Sequence, residues 1–162
     1  MPAKPIPQGF HSVTPYLTVT DAARALEFYK RAFGAQETMR MAGPDGKVGH
    51  AEIKIGDSMI MIADEMPGMG NKSPQTLNGT SAGVFLYVEN ADKMFNQAVG
   101  AGAHVEAPLA DMYWGDRYGR LKDPFGHSWS VATHKEDVAP AELSKRMQEE
   151  MAKRSQQAKT AH

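Results

Sequence analysis

"YWGDRYGRLKDPFGHSWSV", Tyr113–Val131, is the densest run of aromatic, charged and glycine residues in the chain. It reads as two strands, "DRYGRLKD" and "HSWSVA", on either side of the turn "PFG". Proline presets the backbone of such a turn and glycine supplies the conformation that other residues resist. Alternation then sorts each strand onto two faces. Asp116, Tyr118 and Arg120 oppose Arg117, Gly119 and Leu121, while Ser128, Ser130 and Ala132 oppose Trp129 and Val131. The face with Leu121, Trp129 and Val131 belongs under a helix. Arg117 shares that face, so an ion pair is its expected role, with Asp116 and Asp123 nearby.

The residues before this hairpin supply the helix. "AGVFLYVEN" is a strand, Asn90 a cap, and "ADKMFNQAVGAG" a helix closed by glycine. The same order occurs earlier. "SVTPYLTVT" alternates as a half-buried strand, Asp21 caps "AARALEFYKRAF", and Gly34 closes it. Ala22, Ala25, Leu26, Tyr29, Ala32 and Phe33 form the apolar stripe of that helix. "HAEIKI" and "SMIMIA" follow as a hairpin around Gly56-Asp57. An offset of 69 pairs Tyr16 with Phe85, Leu17 with Leu86, Val19 with Val88, and Asp21 with Asn90. This is the mark of an internal duplication.

The expected division is an arm over 1–12, a first module over 13–66, a linker loop over 67–80, a second module over 81–134, and a helix with a tail over 135–162. The arm "MPAKPIPQGF" is proline-stiffened and lacks an apolar signal core. Pro140 suits the first position of a terminal helix, whose Leu143, Met147 and Met151 make a narrow apolar stripe that needs a covering surface. The last eight residues are expected to fray.

Composition narrows the function. A chain of 162 residues fits about one domain and can bury roughly 70% of its unfolded surface. The net charge of −1 favours neither nucleic acid nor an anionic membrane as partner. No cysteine is present, which excludes disulfides, thiolate metal sites and a cysteine nucleophile. No apolar run approaches the roughly 20 residues that span a bilayer, so a cytoplasmic protein is expected. The 11 methionines suit adaptable packing or a forgiving pocket wall.

"TPYLTVTDAARALEFYKRAFGA", "GHAEIKIGDSMIMIADE", "FLYVENADKMFNQAVGAGA" and the opening stretch extended to "ATH" together resemble the vicinal oxygen chelate superfamily. That group includes glyoxalase I, bleomycin-resistance proteins and extradiol dioxygenases, and the chain looks most like its PhnB-like, glyoxalase-like members. The resemblance spans most of residues 13–134. It implies an α+β fold of two βαβββ modules whose curled mixed sheets enclose a shared cleft, usually in a homodimer, here with a C-terminal helix. It also implies up to four metal ligands, His or Glu, on the first and last strands of each module. In this chain those positions hold Thr14, Met61, Gly83 and Ser130. Gly83 has no side chain, and a neutral hydroxyl is a poor ligand. A lone thioether suits soft copper rather than Zn, Ni, Fe or Mn. A catalytic zinc takes about three protein ligands. No metal and no other cofactor is therefore expected.

The same alternation lines the cleft. With Thr14 facing it, Tyr16 and Thr18 do too, leaving Val13, Leu17 and Val19 toward the helices. Met59 and Ala63 accompany Met61, and Phe85 and Tyr87 accompany Gly83. The expected ligand contacts are Tyr16, Met59, Met61, Phe85, Tyr87, Trp114, Tyr118 and Arg120. His50 and Glu52 point the same way, about 6.6 Å apart along their strand, and form the candidate catalytic or metal-binding pair. Their alternative is a solvated face with Glu52 paired to Lys54. His11, His104, His127 and His134 read as surface or capping residues. Three functions remain open: a metal-free binder of a small, partly aromatic molecule; a metal-dependent lyase, isomerase or dioxygenase using His50 and Glu52; and a structural dimer with a filled cleft.

Overall fold

The computed structural model describes residues 3–160. Strand β1 (Tyr16–Val19) leads to Asp21, whose carboxylate accepts a hydrogen bond from the Arg24 backbone N–H and starts helix α1 (Ala22–Phe33). Gly34 ends that helix in the left-handed conformation, at φ 65°. Strands β2 (Gln36–Ala42), β3 (Val48–Ile55) and β4 (Ser58–Asp64) complete the first module. A short helix, α2 (Pro74–Leu77), stands inside the segment expected to be loop, capped by the Ser73 hydroxyl. The second module repeats the plan: β5 (Gly83–Tyr87), α3 (Ala91–Ala101) capped by Asn90, then β6 (His104–Asp111), β7 (Asp116–Lys122) and β8 (Ser128–His134).

Two four-stranded mixed sheets result, ordered β1-β4-β3-β2 and β5-β8-β7-β6. In each, the first strand runs parallel to the last and the remaining pairs are antiparallel. Tyr16 sits opposite Met61, and Phe85 opposite Ser130. The offset of 69 therefore holds on both members of each pair, and the duplication is a structural one. Strands β2 and β6 carry almost no buried residues, so their sequences offer little alternation to read.

The core lies on the helix side of both sheets. Leu26, Tyr29, Ile53, Ile60, Ile62 and Trp129 are fully buried there or nearly so. Each such side chain contributes roughly 1.5–3 kcal/mol by leaving water. Helix α1 packs on α3, and the Phe33 ring lies 4.4 Å from that of Trp129. Gly119 is needed beneath α3: a Cβ there would meet the Phe95 ring at 2.5 Å.

Buried Asp123 ties the modules together. One of its carboxylate oxygens accepts from the Tyr29 hydroxyl of α1 at 2.7 Å and from Trp129 Nε1 at 2.8 Å. The other accepts from the backbone N–H groups of Phe125 and His127, both at 2.9 Å. The "DPFG" turn is thus closed on itself and anchored to the other module. His127 adds a second link, its Nε2 donating to the Thr18 carbonyl at 2.9 Å, so it is a bridging residue rather than a surface one.

Other expectations are corrected here. Arg117 does pair on the helix side, but with Asp92 at 2.8 Å and Asp111 at 3.5 Å rather than with Asp116 or Asp123. Val13 precedes β1 and stands exposed, outside the helix-side core. Helix α4 (Pro140–Thr160) continues into the stretch expected to fray; residues 161 and 162 lie outside the described residues, as do 1 and 2 of the arm. The start of α4 is held by Arg146, which reaches Glu136 with two hydrogen bonds of 2.8 and 2.9 Å. Met147 and Met151 of its stripe are exposed.

Candidate functional site

Strands β1 and β5 are the outer strands of their sheets, and they border one seam. Two open cavities lie along it. One, of about 500 Å³, is lined by Thr14, Met59, Val84, Phe85, Tyr87 and Met94, among others. The other, of about 400 Å³, is lined by Tyr16, Gly83, Phe85, His127 and Ser128 among others. Small-molecule sites typically occupy roughly 300–1,000 Å³ with mostly apolar walls. Side chains from both modules meet in each cavity, Thr14 and Met59 with Phe85 and Tyr87, and Tyr16 with Phe85.

On the second sheet the aromatic residues form a connected layer. Phe85 lies 4.9 Å from Tyr87 and stacks on Tyr118 at 5.8 Å, and Trp114 meets Tyr118 edge-on at 5.6 Å. Asp116, buried to 3% exposure, anchors this layer. It accepts from the Tyr87 hydroxyl and from Trp114 Nε1, both at 3.0 Å. Its other oxygen faces His134 Nδ1 at 2.8 Å, and His134 Nε2 faces Asp137 at 2.9 Å. Carboxylates only accept, so both imidazole nitrogens donate and the charged ring is favoured. The hydrogen bond to Asp116, then that to Asp137, raises the His134 pKa above its ordinary value. His134 was expected to be a bland surface residue, yet it is part of this network.

Arg120 is on the same sheet and is already paired. Its Nε lies 3.2 Å from Glu106, which also holds Lys122 at 3.1 Å. Glu106 stands at a register shift of β6, where strict alternation fails, which is why pattern reading passed over it.

The first sheet carries a different chemistry. The Tyr16 hydroxyl lies 3.2 Å from His50 Nδ1, and His50 Nε2 lies 3.4 Å from Glu52. Glu52 is thus partnered by His50 rather than by Lys54, the alternative partner. Register places Met61 and Met39 on either side of Glu52, and Met41 beside His50. Met39 and Met41 escaped the sequence reading because β2 did, a strand with neither face buried.

Thr14 and Met61 are half-buried, and the Ser130 hydroxyl lies 3.2 Å from that of Tyr118. A Cβ on Gly83 would meet the Ser128 carbonyl at 3.2 Å. Among the described residues, no group of three or more His, Asp or Glu side chains is placed to hold a metal ion. Among them too, no helix is long and apolar enough to cross a membrane.

Known proteins share both the sequence and this geometry. An uncharacterized protein of Mycobacterium bovis is 43% identical over 139 residues, covering 84% of this chain and 91% of that protein. The crystal structure of TioX from Micromonospora sp. ML1 superposes with a TM-score of 0.61 at 27% identity, covering 76% of this chain and 98% of that one. An Arabidopsis thaliana gene product of known structure gives a TM-score of 0.63 at 27% identity, over 76% and 98% of the two chains. The model of one family, Glyoxalase/Bleomycin resistance protein/Dioxygenase superfamily, matches residues 9–131. With its duplicated βαβββ modules packed together through α1 and α3, the chain belongs to that superfamily.

Proposed function

We propose that the protein binds a small, partly aromatic molecule in the groove between β1 and β5, without a metal ion. The observation that carries this reading is the pair of cavities on the seam, walled by Tyr16, Met59, Phe85 and Tyr87. Aromatic faces offset-stack on a planar ligand, and thioethers adapt to its outline. Trp114 and Tyr118 extend the stacking surface, and Met61 lies beside Tyr16 on the floor. Arg120, held by Glu106, contributes its flat guanidinium rather than a free charge.

The superfamily's metal does not fit the residues present. The four matching positions offer two hydroxyls, one thioether and no side chain at Gly83. Divalent Zn, Ni, Fe or Mn needs imidazole or carboxylate donors there. His50 and Glu52 supply one of each, on a different strand, and their short partners are Tyr16 and each other.

Tyr16, Phe85 and Tyr87 are exposed, each by about half or more, which favours a second copy of the chain covering the groove in a homodimer. A cytoplasmic setting goes with this reading, since a chain without cysteine loses nothing in a reducing compartment.

Titration with mono- and bicyclic aromatic compounds tests the reading through fluorescence. Trp114 reaches the site through the Tyr118 and Phe85 rings, while Trp129 is fully buried and serves as the silent reference. Phe85→Ala is expected to weaken a ligand about tenfold, the loss of one stacking partner. A Phe85→Ala protein with unchanged affinity, or a protein that binds none of the compounds, would overturn the proposal.

A further inference from the structure

Tyr16, His50 and Glu52 come from two strands, β1 and β3, and meet only in the folded sheet. Their contacts admit a consistent arrangement of protons. The Glu52 carboxylate can only accept, so His50 Nε2, 3.4 Å away, carries a hydrogen toward it. The neutral ring then presents a bare Nδ1, and the Tyr16 hydroxyl at 3.2 Å donates to it. Both contacts are satisfied by one tautomer. His50 and Glu52 are largely shielded, with side chains 24% and 16% exposed, whereas Tyr16 is half-exposed and lines the 400 Å³ cavity. The order is carboxylate, imidazole, phenol, and of the three residues Tyr16 is the one that lines this cavity.

We propose that Tyr16 is a metal-independent catalytic acid–base, with His50 and Glu52 as its positioning residues, acting on a small aromatic carbonyl compound with an acidic C–H bond. This rests on the groove reading above and adds a reaction to it. The Tyr16 proton passes to His50 Nδ1. The phenolate oxygen takes the proton from the carbon next to the carbonyl, and the C–H electron pair moves into the enolate. His50 becomes an imidazolium facing Glu52. On return, Tyr16 gives a proton, exchanged with solvent, back to carbon and recovers its own from His50. No oxidant, reductant or co-reactant is consumed. Proton transfer by a positioned side chain typically accelerates such a step by about 10²–10⁴. Such catalytic hydrogen bonds shorten when a bound substrate excludes water.

Phenylpyruvate in deuterium oxide is the probe. NMR reads deuterium incorporation at the carbon beside its carbonyl, and fluorescence reads its binding. The full-length protein is expected to accelerate exchange about a hundredfold over buffer, unaffected by EDTA. Tyr16→Phe and His50→Gln are each expected to lower kcat at least tenfold while KM stays within about twofold. That split separates proton transfer from a merely structural role. Glu52→Gln is expected to lower kcat less and to change the nitrogen NMR signature of the His50 ring, since its tautomer is no longer fixed. Binding without exchange, or a Tyr16→Phe protein at full rate, overturns the relay and leaves the groove intact. Absence of binding removes the groove reading and the relay with it. Exchange abolished by EDTA overturns the relay in favour of a bound metal.

Discussion

Replacing Tyr29 by Phe removes one oxygen from the centre of the molecule and leaves the ring. The ring keeps its neighbours: Phe33 stacked at 6.2 Å, Trp129 at 5.2 Å and Phe125 at 6.3 Å. What goes is the 2.7 Å donation to Asp123, which falls from four donors to three. Burial first, then the Asp123 charge, raises the phenol's pKa well above its ordinary value, so it remains a donor at every pH where the protein is studied. A hydrogen bond to a charged group contributes about 1.5–3 kcal/mol. A chain of this length unfolds with an entropy of about 0.34 kcal/mol per kelvin, so a loss of about 2 kcal/mol lowers Tm by about 6 °C. The assay is thermal unfolding at one fixed protein concentration, because association shifts Tm by mass action. A cycle with Asp123→Asn isolates the pair, with an expected coupling of about 1 kcal/mol or more. A Tm within 1 °C of the parent, or strictly additive effects in the cycle, would refute the claim that this bond ties the modules together.

Gly119→Ala is expected to cost about 1–3 kcal/mol, because the new methyl meets the buried Phe95 ring at 2.5 Å and Leu109 at 3.2 Å; a urea midpoint equal to the parent's would show that α3 shifts freely. His134 has a raised pKa, so its contribution is complete below the ordinary histidine value and is lost as pH rises through the raised one. The stability gap between the parent and His134→Gln should therefore close from pH 5.5 to pH 8.5, read from urea midpoints at each pH. Glu37 behaves oppositely. Arg40, bonded to it twice at 2.8 Å, and Lys30 at 2.9 Å hold its pKa down to about 2. Its contribution is present above about 4.5 and lost as pH falls toward 2, so acid unfolding of Glu37→Gln should begin at higher pH; with the partners partly in water the difference is roughly 1 kcal/mol.

Most of the architecture was legible because two kinds of signal agreed. Asp21 and Asn90 marked the helix starts, and both caps are made as expected. Alternation assigned the faces of β4, β7 and β8, from Met61 beside Tyr16 to Tyr118 beside Ser130. It failed on β2 and β6, the edge strands farther from the seam, where neither face is buried enough to impose a period. That cost the reading Met39, Met41 and Glu106, and hence the true partner of Arg120. Partnerships across the chain were the other gap. His50 with Glu52 follows from spacing, but Tyr16 joins them across 34 residues, and Tyr29 reaches Asp123 across 94. Nothing local in a sequence encodes such encounters; register and module packing create them.

The position of Asp123 has a bearing on heredity. The Tyr29–Asp123–Trp129 tie that holds the two modules together lies on the helix side of the sheets, whereas alternation puts Tyr16, Met61, Phe85 and Ser130 on the opposite face. Alternation interleaves the two sets along the same strands without mixing them. Substitutions at Tyr16, Met61, Phe85 or Ser130 leave the Tyr29–Asp123–Trp129 tie untouched. A lineage built on this plan is free to exchange its ligand, or its chemistry, one residue at a time. Each step is taken from a molecule that still folds.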